Sequence, residues 1–229
     1  MQAVFPQTDN KGDSKMRDNI SMSVVRRLPR YYRFLGELKK QGLTRISSRS
    51  LAERMGVTAS QMRQDLNCFG GFGQQGYGYN IELLEGQIAA ILGIPNRYDC
   101  LIVGAGNLGR AIATHMNFEE RGFRLIGVFD RNESLCGTPV AGLPIRHISG
   151  LDEFCRREKP KVAMLCVPQS AAPTIGNQLV RLGIKGIWNF SHYDFGEMEG
   201  VAVENVHLGD SMMTLCYRVS RMIKEKSGD

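Results

Sequence analysis

Six consecutive residues near the middle of the chain have the types and spacing of a dinucleotide phosphate site. The apolar residues 101–103 lead directly into Gly104, Ala105, Gly106, Asn107, Leu108 and Gly109, and helix-type sequence follows. In such a G-x-G-x-x-G loop the first glycine permits a tight turn and the second lets backbone N–H groups approach the pyrophosphate. The third lets the helix pack closely on the strand. We therefore predict that these residues bind the cofactor phosphates.

A carboxylate stands where the adenosine ribose of that cofactor would lie. Residues 123–130 form a second apolar run that ends in Asp130, about twenty residues beyond the fingerprint. An acid at this position hydrogen-bonds the ribose hydroxyls and repels a 2′-phosphate. The predicted cofactor is therefore NAD(H) rather than NADP(H), and the neighbouring Arg131, which is also placed at this site, weakens that preference.

The remaining sequence predicts a Rossmann domain over residues 96–207. Strand-type runs at 143–148, 162–167, 186–190 and 201–206 alternate with helix-type segments at 151–157 and 171–182. Ligands bind at the carboxyl ends of parallel strands, so Val167 and Pro168 are expected to line the cofactor crevice. A Rossmann-like domain that binds coenzyme A or another nucleotide is an alternative, against which Asp130 argues.

The sequence offers no acid or base for a reaction on the nicotinamide. The four histidines (His115, His147, His192 and His207) have no neighbouring group that would make an acid/base pair, and little chain follows the last strand. We therefore expect a sensor of the dinucleotide rather than an enzyme. A small NAD-dependent oxidoreductase with an N-terminal regulatory domain is the alternative.

The charge of the first part of the chain points to a nucleic acid. Residues 1–97 contain fourteen Lys and Arg against eight Asp and Glu, whereas residues 98–229 contain fifteen of each. Concentrated positive charge supplies non-specific affinity for phosphate backbones. A basic face without a partner is the alternative that charge alone leaves open.

Two short capped helices within this basic part predict a helix-turn-helix. Ser50 with Glu53 and Thr58 with Gln61 have the spacing of capping boxes, and a glycine turn separates them. The second helix, residues 59–66, would enter the major groove with its first residues near base edges. The side chains predicted to contact DNA there are Ser60, Gln61, Arg63 and Gln64. A plain helical bundle has similar spacing.

The flanking segments complete a winged-helix domain over residues 22–95. A helix is predicted from Pro29 to the region of Gly42, and the alternating aromatics and glycines of residues 69–79 predict a wing. Residues 81–92 resemble a further helix, with the domain boundary at residues 93–95. Residues 1–21 are predicted to be a disordered leader.

The tail and the composition set the remaining expectations. Residues 208–229 predict an amphipathic helix with Met212, Leu215, Val219 and Met222 on one stripe. This helix either closes its own domain or is exchanged with a second subunit to form a homodimer. The six scattered cysteines predict neither a metal site nor disulfides. With no membrane-spanning run and no secretory signal, a cytoplasmic protein is expected.

Taken together, these stretches make the chain resemble the Rex family of redox-sensing transcriptional repressors from about residue 23 to residue 222. The stretches that carry the resemblance are residues 27–32, 45–48, 57–58, 63 with 65–66, 69–70, 76–79, the fingerprint, 186–190 and 203–206. The resemblance implies an α/β homodimer of winged-helix and Rossmann domains with exchanged C-terminal helices. It also implies double-stranded operator binding that ceases when NADH rises.

The resemblance also implies site residues. The DNA contacts it adds are Arg30, Tyr31, Arg45, Ser47, Ser48, Thr58, Gln75 and Tyr77. His115 stands where many members place a tyrosine near the cofactor, and His207-Leu208 where they tend to have Asp-Phe. Gln64, Gln74 and Gln75 replace basic residues, so a relative with weakened DNA binding or altered ligand response is the main alternative. A pH-sensitive response is a hypothesis if His115 and His207 approach each other across the dimer.

Overall fold

The described residues of a computed structural model, 21–67 and 78–227, belong to two compact units within residues 1–95 and 96–229. The first unit is mainly helical. Its elements are α1 (Met22–Val25), α2 (Leu28–Lys40), β1 (Arg45–Ile46), α3 (Ser48–Met55), α4 (Ala59–Asn67), β2 (Tyr79–Asn80) and α5 (Ile81–Ile91). Within the described residues, no helix is long and apolar enough to span a membrane.

Helix α2 follows its sequence signals and forms the centre of the first unit. Pro29 occupies the first turn, where its missing N–H costs no hydrogen bond. After the helix, Gly42 adopts a φ of +80°, which a side chain would disfavour. The buried stripe of α2 includes Leu28, Leu35 and Leu38 and packs in one core with α3, α4 and α5.

The helix-turn-helix begins with a cap that the sequence reasoning misplaced. Ser47, rather than Ser50, caps α3, because the Ser47 hydroxyl accepts the Ser50 N–H at 3.0 Å. Glu53 instead pairs with Arg49 at 3.1 Å on the exposed face. The predicted cap of α4 is present, since Thr58 Oγ1 accepts the Gln61 N–H at 3.1 Å.

The predicted wing lies mostly outside the described residues. The part that is described shows β1 and β2 paired antiparallel, with Arg45 opposite Asn80 and Ile46 opposite Tyr79. Gly78 runs so close to β1 that an added Cβ would lie 2.6 Å from the Ile46 carbonyl oxygen. Only glycine fits at that approach.

The second unit is a Rossmann-like α/β layer structure that ends in a long helix. Its elements are β3 (Tyr98–Val103), α6 (Asn107–His115), β4 (Phe123–Asp130), β5 (Pro139–Val140), β6 (Leu143–His147), α7 (Leu151–Glu158), β7 (Val162–Leu165), α8 (Ala172–Arg181), β8 (Gly186–Asn189), β9 (Ala202–Asn205) and α9 (Leu208–Ser227). The α/β fold class predicted from the sequence is confirmed.

The sheet has the order β5-β6-β4-β3-β7-β8-β9, and every neighbouring pair except β5–β6 is parallel. Alternate residues of β3 point into separate cores, Leu101 toward α7 and α8, and Ile102 toward α6. The chain order reverses between β3 and β7, so the crevice for a ligand opens at the carboxyl ends of these central strands.

Candidate nucleotide and nucleic-acid sites

The fingerprint loop requires glycine at its first and third glycine positions. Gly104 has a φ of +102°, and an added Cβ would lie 2.2 Å from the Cys166 carbonyl oxygen. At Gly109 an added Cβ would lie 1.9 Å from the carbonyl oxygen of Gly104. Both distances are far below any allowed contact, so these glycines hold β3, α6 and β7 together.

Gly106 differs, because the space that its Cβ would occupy is open. Among the described residues, no heavy atom lies within 4 Å of that position. Gly106 is also the N-cap of α6 and has no side chain to cap the helix. Helix α6 therefore begins without a side-chain cap and beside an open position, which is the arrangement that binds phosphate anions.

Asp130 ends β4 beside this loop and contacts it directly. Its Oδ2 accepts the Ala105 N–H at 2.6 Å, and its Oδ1 accepts the Asn132 N–H at 2.8 Å. The carboxylate thus orders the fingerprint loop in addition to the ribose contact predicted from the sequence. Each ionised carboxylate oxygen has a further lone pair with which to accept a ribose hydroxyl. Arg131 follows it on the surface.

Val167 and Pro168 follow β7 at the same carboxyl edge. The Val167 side chain approaches to 3.2 Å from the position of a Cβ on Gly104, so Val167 adjoins the loop, and the cofactor contacts of Val167 and Pro168 stay a prediction. Burial raises the pKa of the preceding Cys166 thiol to about 12. That thiol is therefore protonated and unreactive at neutral pH.

His115 lies apart from the loop. It is the exposed last residue of α6, about 12 Å along the helix axis from Asn107 at 1.5 Å per residue. Within its own unit it is therefore distant from the phosphate position, and its predicted role at the cofactor stays a prediction.

The structure brings together a histidine cluster that the sequence reasoning missed. The Nε2 of His207 lies 2.6 Å from Asp194 Oδ1, and the His192 and His207 rings are stacked 6.3 Å apart. The hydrogen bond with Asp194 raises the pKa of His207. The expectation that no histidine has an acidic neighbour is therefore wrong. The parallel pairing of β8 with β9 ends at Asn189 and Asn205 and brings the following segments together, which the linear sequence does not reveal.

Buried amides order the same edge of the sheet. Asn189 donates to the Tyr193 carbonyl at 2.6 Å and to Asn205 Oδ1 at 2.8 Å, while its own oxygen accepts from Ser191. Asn205 in turn donates to the Phe195 carbonyl at 3.0 Å. These bonds fix the segment between β8 and the histidine cluster.

Helix α4 presents a polar face to solvent. Ser60, Arg63, Gln64 and Asn67 line one shallow depression on it, since positions three and four apart share a helix face. Three of these residues were predicted as DNA contacts, and Asn67 was not. The helical periodicity, continued one residue beyond the predicted end at residue 66, would have included it.

Two predicted DNA contacts instead point into the helix-turn-helix. Tyr31 is only 1% exposed and donates to Asp65 Oδ2 at 2.7 Å, so its hydroxyl is engaged inside this unit, and its contact with DNA stays a prediction. Gln61 is half-buried, and its amide donates to Asp65 Oδ1 at 2.8 Å. Tyr31 and Gln61 thus donate to the same buried carboxylate, that of Asp65.

The other predicted contacts are distributed over the first unit. Arg30 donates to the Met55 carbonyl at the end of α3 and lies over the Phe34 ring. Ser47 caps α3, Thr58 caps α4, Ser48 is half-buried, and Arg45 is exposed on β1. Gln75 and Tyr77, with Gln74, lie outside the described residues.

The fold and the two sites together define a class of protein: a helix-turn-helix unit joined to a Rossmann unit with an open phosphate loop. A family model described as "Putative DNA-binding protein N-terminus" matches residues 19–67, and one described as "CoA binding domain" matches residues 95–193. The chain is 49% identical over 215 residues to the redox-sensing transcriptional repressor Rex of Thermoanaerobacter pseudethanolicus, covering 93% of this chain and 96% of the relative. It belongs to the Rex family of redox-sensing transcriptional repressors.

Further relatives agree with this assignment. The Rex repressor of Clostridium novyi is 50% identical over 199 residues, or 87% of this chain and 95% of the relative. Crystal structures of RSP, a Rex-family repressor, match with a TM-score of 0.83 and cover 92% of this chain. The complex with β-NAD+ and operator DNA is 48% identical over 98% of its chain, and the complex with β-NADH is 46% identical over 99%. The family resemblance seen in the sequence is therefore confirmed.

Proposed function

We propose that this chain represses transcription by binding operator DNA through α4 and releases the DNA when NADH occupies its Rossmann unit. The observation that carries the proposal is the likeness to RSP across both units, because the RSP complexes contain β-NAD+ with operator DNA in one case and β-NADH in the other. The chain has the corresponding parts, namely a capped helix with an exposed polar face and an open phosphate loop.

NAD(H) is the proposed cofactor rather than coenzyme A. The matching model named for coenzyme A describes the domain over residues 95–193. The local chemistry favours a dinucleotide, since Asp130 lies at the carboxyl end of β4, beside the loop, where it can accept ribose hydroxyls. Val167 and Pro168 would line the crevice, and a 2′-phosphate would meet the Asp130 carboxylate.

A homodimer is proposed from the surface of α9. Eight large apolar side chains on this helix are between 44% and 68% exposed: Leu208, Met212, Met213, Leu215, Tyr217, Val219, Met222 and Ile223. A patch of this kind needs a partner, and a helix that closed its own domain would bury it. This favours the exchange of α9 with a second copy of the chain over a helix that closes its own domain.

The same proposal covers the remaining roles. The chain acts as a regulator and not as an enzyme, and its location is the cytoplasm, where its DNA partner lies. Dimer symmetry would place two α4 helices at a separation that the operator half-sites must match. A nucleotide that binds two dimer geometries unequally can then release the DNA.

Fluorescence anisotropy on the full chain tests the proposal. A labelled duplex from the DNA upstream of the chain's own gene is titrated with protein, and the complex is then titrated with NADH, NAD+ and NADPH. We expect tight binding that NADH releases at far lower concentrations than the other two nucleotides. A scrambled duplex of equal length is the control.

Two outcomes would contradict the proposal. Absence of binding at low salt would mean that the chain has kept the family fold without operator binding, with Gln64, Gln74 and Gln75 as the substitutions to revert first. Binding that responds equally to all three nucleotides would mean that the sites at His115 and His207 no longer distinguish the nicotinamide states.

A further inference from the structure

The helix-turn-helix is built around one buried carboxylate. Asp65 has no exposed surface and accepts four hydrogen bonds. Arg27 donates Nε to Oδ2 and Nη2 to Oδ1, both at 2.7 Å. Tyr31 and Gln61 contribute the other two bonds, at 2.7 Å and 2.8 Å. Every donor thus belongs to α4 or to the start of α2.

The donors compensate for the cost of burying the charge. Burial opposes ionisation, but the hydrogen bonds from Arg27, Tyr31 and Gln61 outweigh it and hold the pKa of Asp65 below its usual range. The same bonding raises the pKa of Arg27. Asp65 is therefore ionised at neutral pH, and charge-assisted bonds of this kind are short, directional and about twice as strong as neutral ones.

The geometry of the four bonds fixes α4 in two respects. Arg27 and Tyr31 are four residues apart at the start of α2, and Gln61 and Asp65 are four apart on α4, so each pair shares a helix face. The bidentate Arg27 contact sets the distance between the helices. The bonds on both carboxylate oxygens also oppose rotation of α4 about its axis.

That rotation decides which side chains reach DNA. Ser60, Arg63, Gln64 and Asn67 share the outer face of α4, and Gln61 with Asp65 lies on the inner side. A turn by one residue position, about 100°, would replace the whole reading face. The buried Met62 and Leu66 hold α4 to the core, but apolar contact is not directional.

We propose that Asp65 is a positioning residue for operator recognition, and that Gln61 acts through Asp65 rather than by reading a base. This inference rests on the proposed function, because it presumes that α4 enters the operator. It reassigns Gln61, which the sequence places among the base contacts, and it leaves Ser60, Arg63, Gln64 and Asn67 as the reading set.

Operator affinity of single variants gives the first test. Asp65→Asn replaces one carboxylate oxygen, which accepts hydrogen bonds, with an NH2 group that faces other donors. Because the charge-assisted bonds are lost, we expect operator affinity to fall by about tenfold or more. Gln61→Ala keeps a helix-forming residue and removes one bond, with an expected fall of about threefold to tenfold. Glu53→Gln changes an exposed carboxylate in the same unit and should stay within about twofold.

Two controls separate positioning from folding and from the proposed function. Circular dichroism at the assay temperature must show the wild-type helix content, and NADH affinity must be unchanged in each variant. If Asp65→Asn destabilises the first unit, Gln61→Ala alone decides the question. Failure of the wild-type chain to bind the operator would refute the proposed function, whereas wild-type binding with unchanged variants would refute this inference alone.

The specificity profile gives the second test, and a merely structural role would not alter it. A panel of operators with single base-pair changes is titrated with each variant. Because a rotated α4 would displace the whole reading face, Gln61→Ala should lower discrimination at all of the contacted positions together, whereas Arg63→Ala should lose discrimination at one position per half-site. Gln61→Ala added to Asp65→Asn should cost nothing further. Lost discrimination at one base pair in Gln61→Ala would overturn the proposal.

Discussion

Gly106→Ala should weaken nucleotide binding while leaving the fold intact. The backbone at Gly106 has φ −69° and ψ −171°, which is extended conformation open to any residue. Among the described residues, nothing lies within 4 Å of the added Cβ. The methyl group would instead occupy the space from which the N–H groups at the start of α6 reach the pyrophosphate.

The magnitude follows from the bonds that would be displaced. The loss of one charge-assisted hydrogen bond to phosphate, at about 1.5–3 kcal/mol, corresponds to a fall in NADH affinity of about tenfold to about 150-fold. The free energy of unfolding should change by less than about 0.5 kcal/mol, since no native contact is altered. Gly104→Ala and Gly109→Ala should behave differently, because their Cβ atoms would lie 2.2 Å and 1.9 Å from backbone oxygens, and both variants should lose stability.

The assay is NADH binding by intrinsic fluorescence or calorimetry, paired with thermal unfolding. Gly150→Ala is the matched control, since its Cβ also meets open space and its φ of −84° accepts alanine. Operator affinity without nucleotide should match wild type for Gly106→Ala, while the NADH concentration needed for release should rise. Wild-type NADH affinity in Gly106→Ala would refute the assignment of the phosphate site.

Three further predictions concern the other contacts. Arg63→Ala should cost about 1–3 kcal/mol of operator affinity and relax specificity at one position per half-site. Anisotropy on the panel of changed operators measures both, and a wild-type affinity in this variant would contradict the prediction. Met212→Glu combined with Leu215→Glu should dissociate the proposed dimer, because the two new carboxylates would be buried without partners in the contact between α9 helices. Light scattering measures the mass, and an intact dimer would show that α9 does not form the dimer contact. The hydrogen bond with Asp194 raises the pKa of His207, so the pair stabilises fully below the ordinary histidine pKa and is lost as pH rises through the raised value. The NADH concentration for operator release should therefore differ between about pH 6 and pH 8, and His207→Gln, which removes the titrating imidazole, should abolish the difference; an equal difference in that variant would exclude the pair as its source.

The sequence predicted most of the fold because its signals are local. The fingerprint, the strand-ending Asp130 and the amphipathic stripes each depend on short spacings, and the structure has the elements that they predict. The cap of α3 was misplaced because only Ser50 has a glutamate three residues on, as a capping box requires, whereas the true cap, Ser47, has Ser50 at that position. Only the backbone conformation at Ser47, with ψ of 153°, distinguishes the cap from a helix residue.

The residues missed by sequence reasoning depend on contacts between distant segments. Asp65 bonds Arg27 across 38 positions, and His207 meets Asp194 only because β8 and β9 run side by side. Tyr31 illustrates the same limit: the family resemblance implied a DNA contact for it, and only the structure shows that its hydroxyl donates to the buried Asp65. Spacing identifies faces of helices, but it does not identify which buried partner a polar side chain will find.

The two groups of departures from the family affect different quantities. Gln64 lies on the face of α4 that we propose reads the operator, so we expect a missing cation there to lower operator affinity and to flatten its salt dependence without changing how nucleotides act. His207 immediately precedes α9 and binds Asp194 in the segment that follows β8. That segment lies at the carboxyl edge of the sheet, where a dinucleotide binds. A ligand shifts an equilibrium only by its differential affinity for two states. The contact of His207 with Asp194 joins this edge of the sheet to the start of the proposed dimer helix. We therefore expect the discrimination between NADH and NAD+ to depend on the protonation of His207.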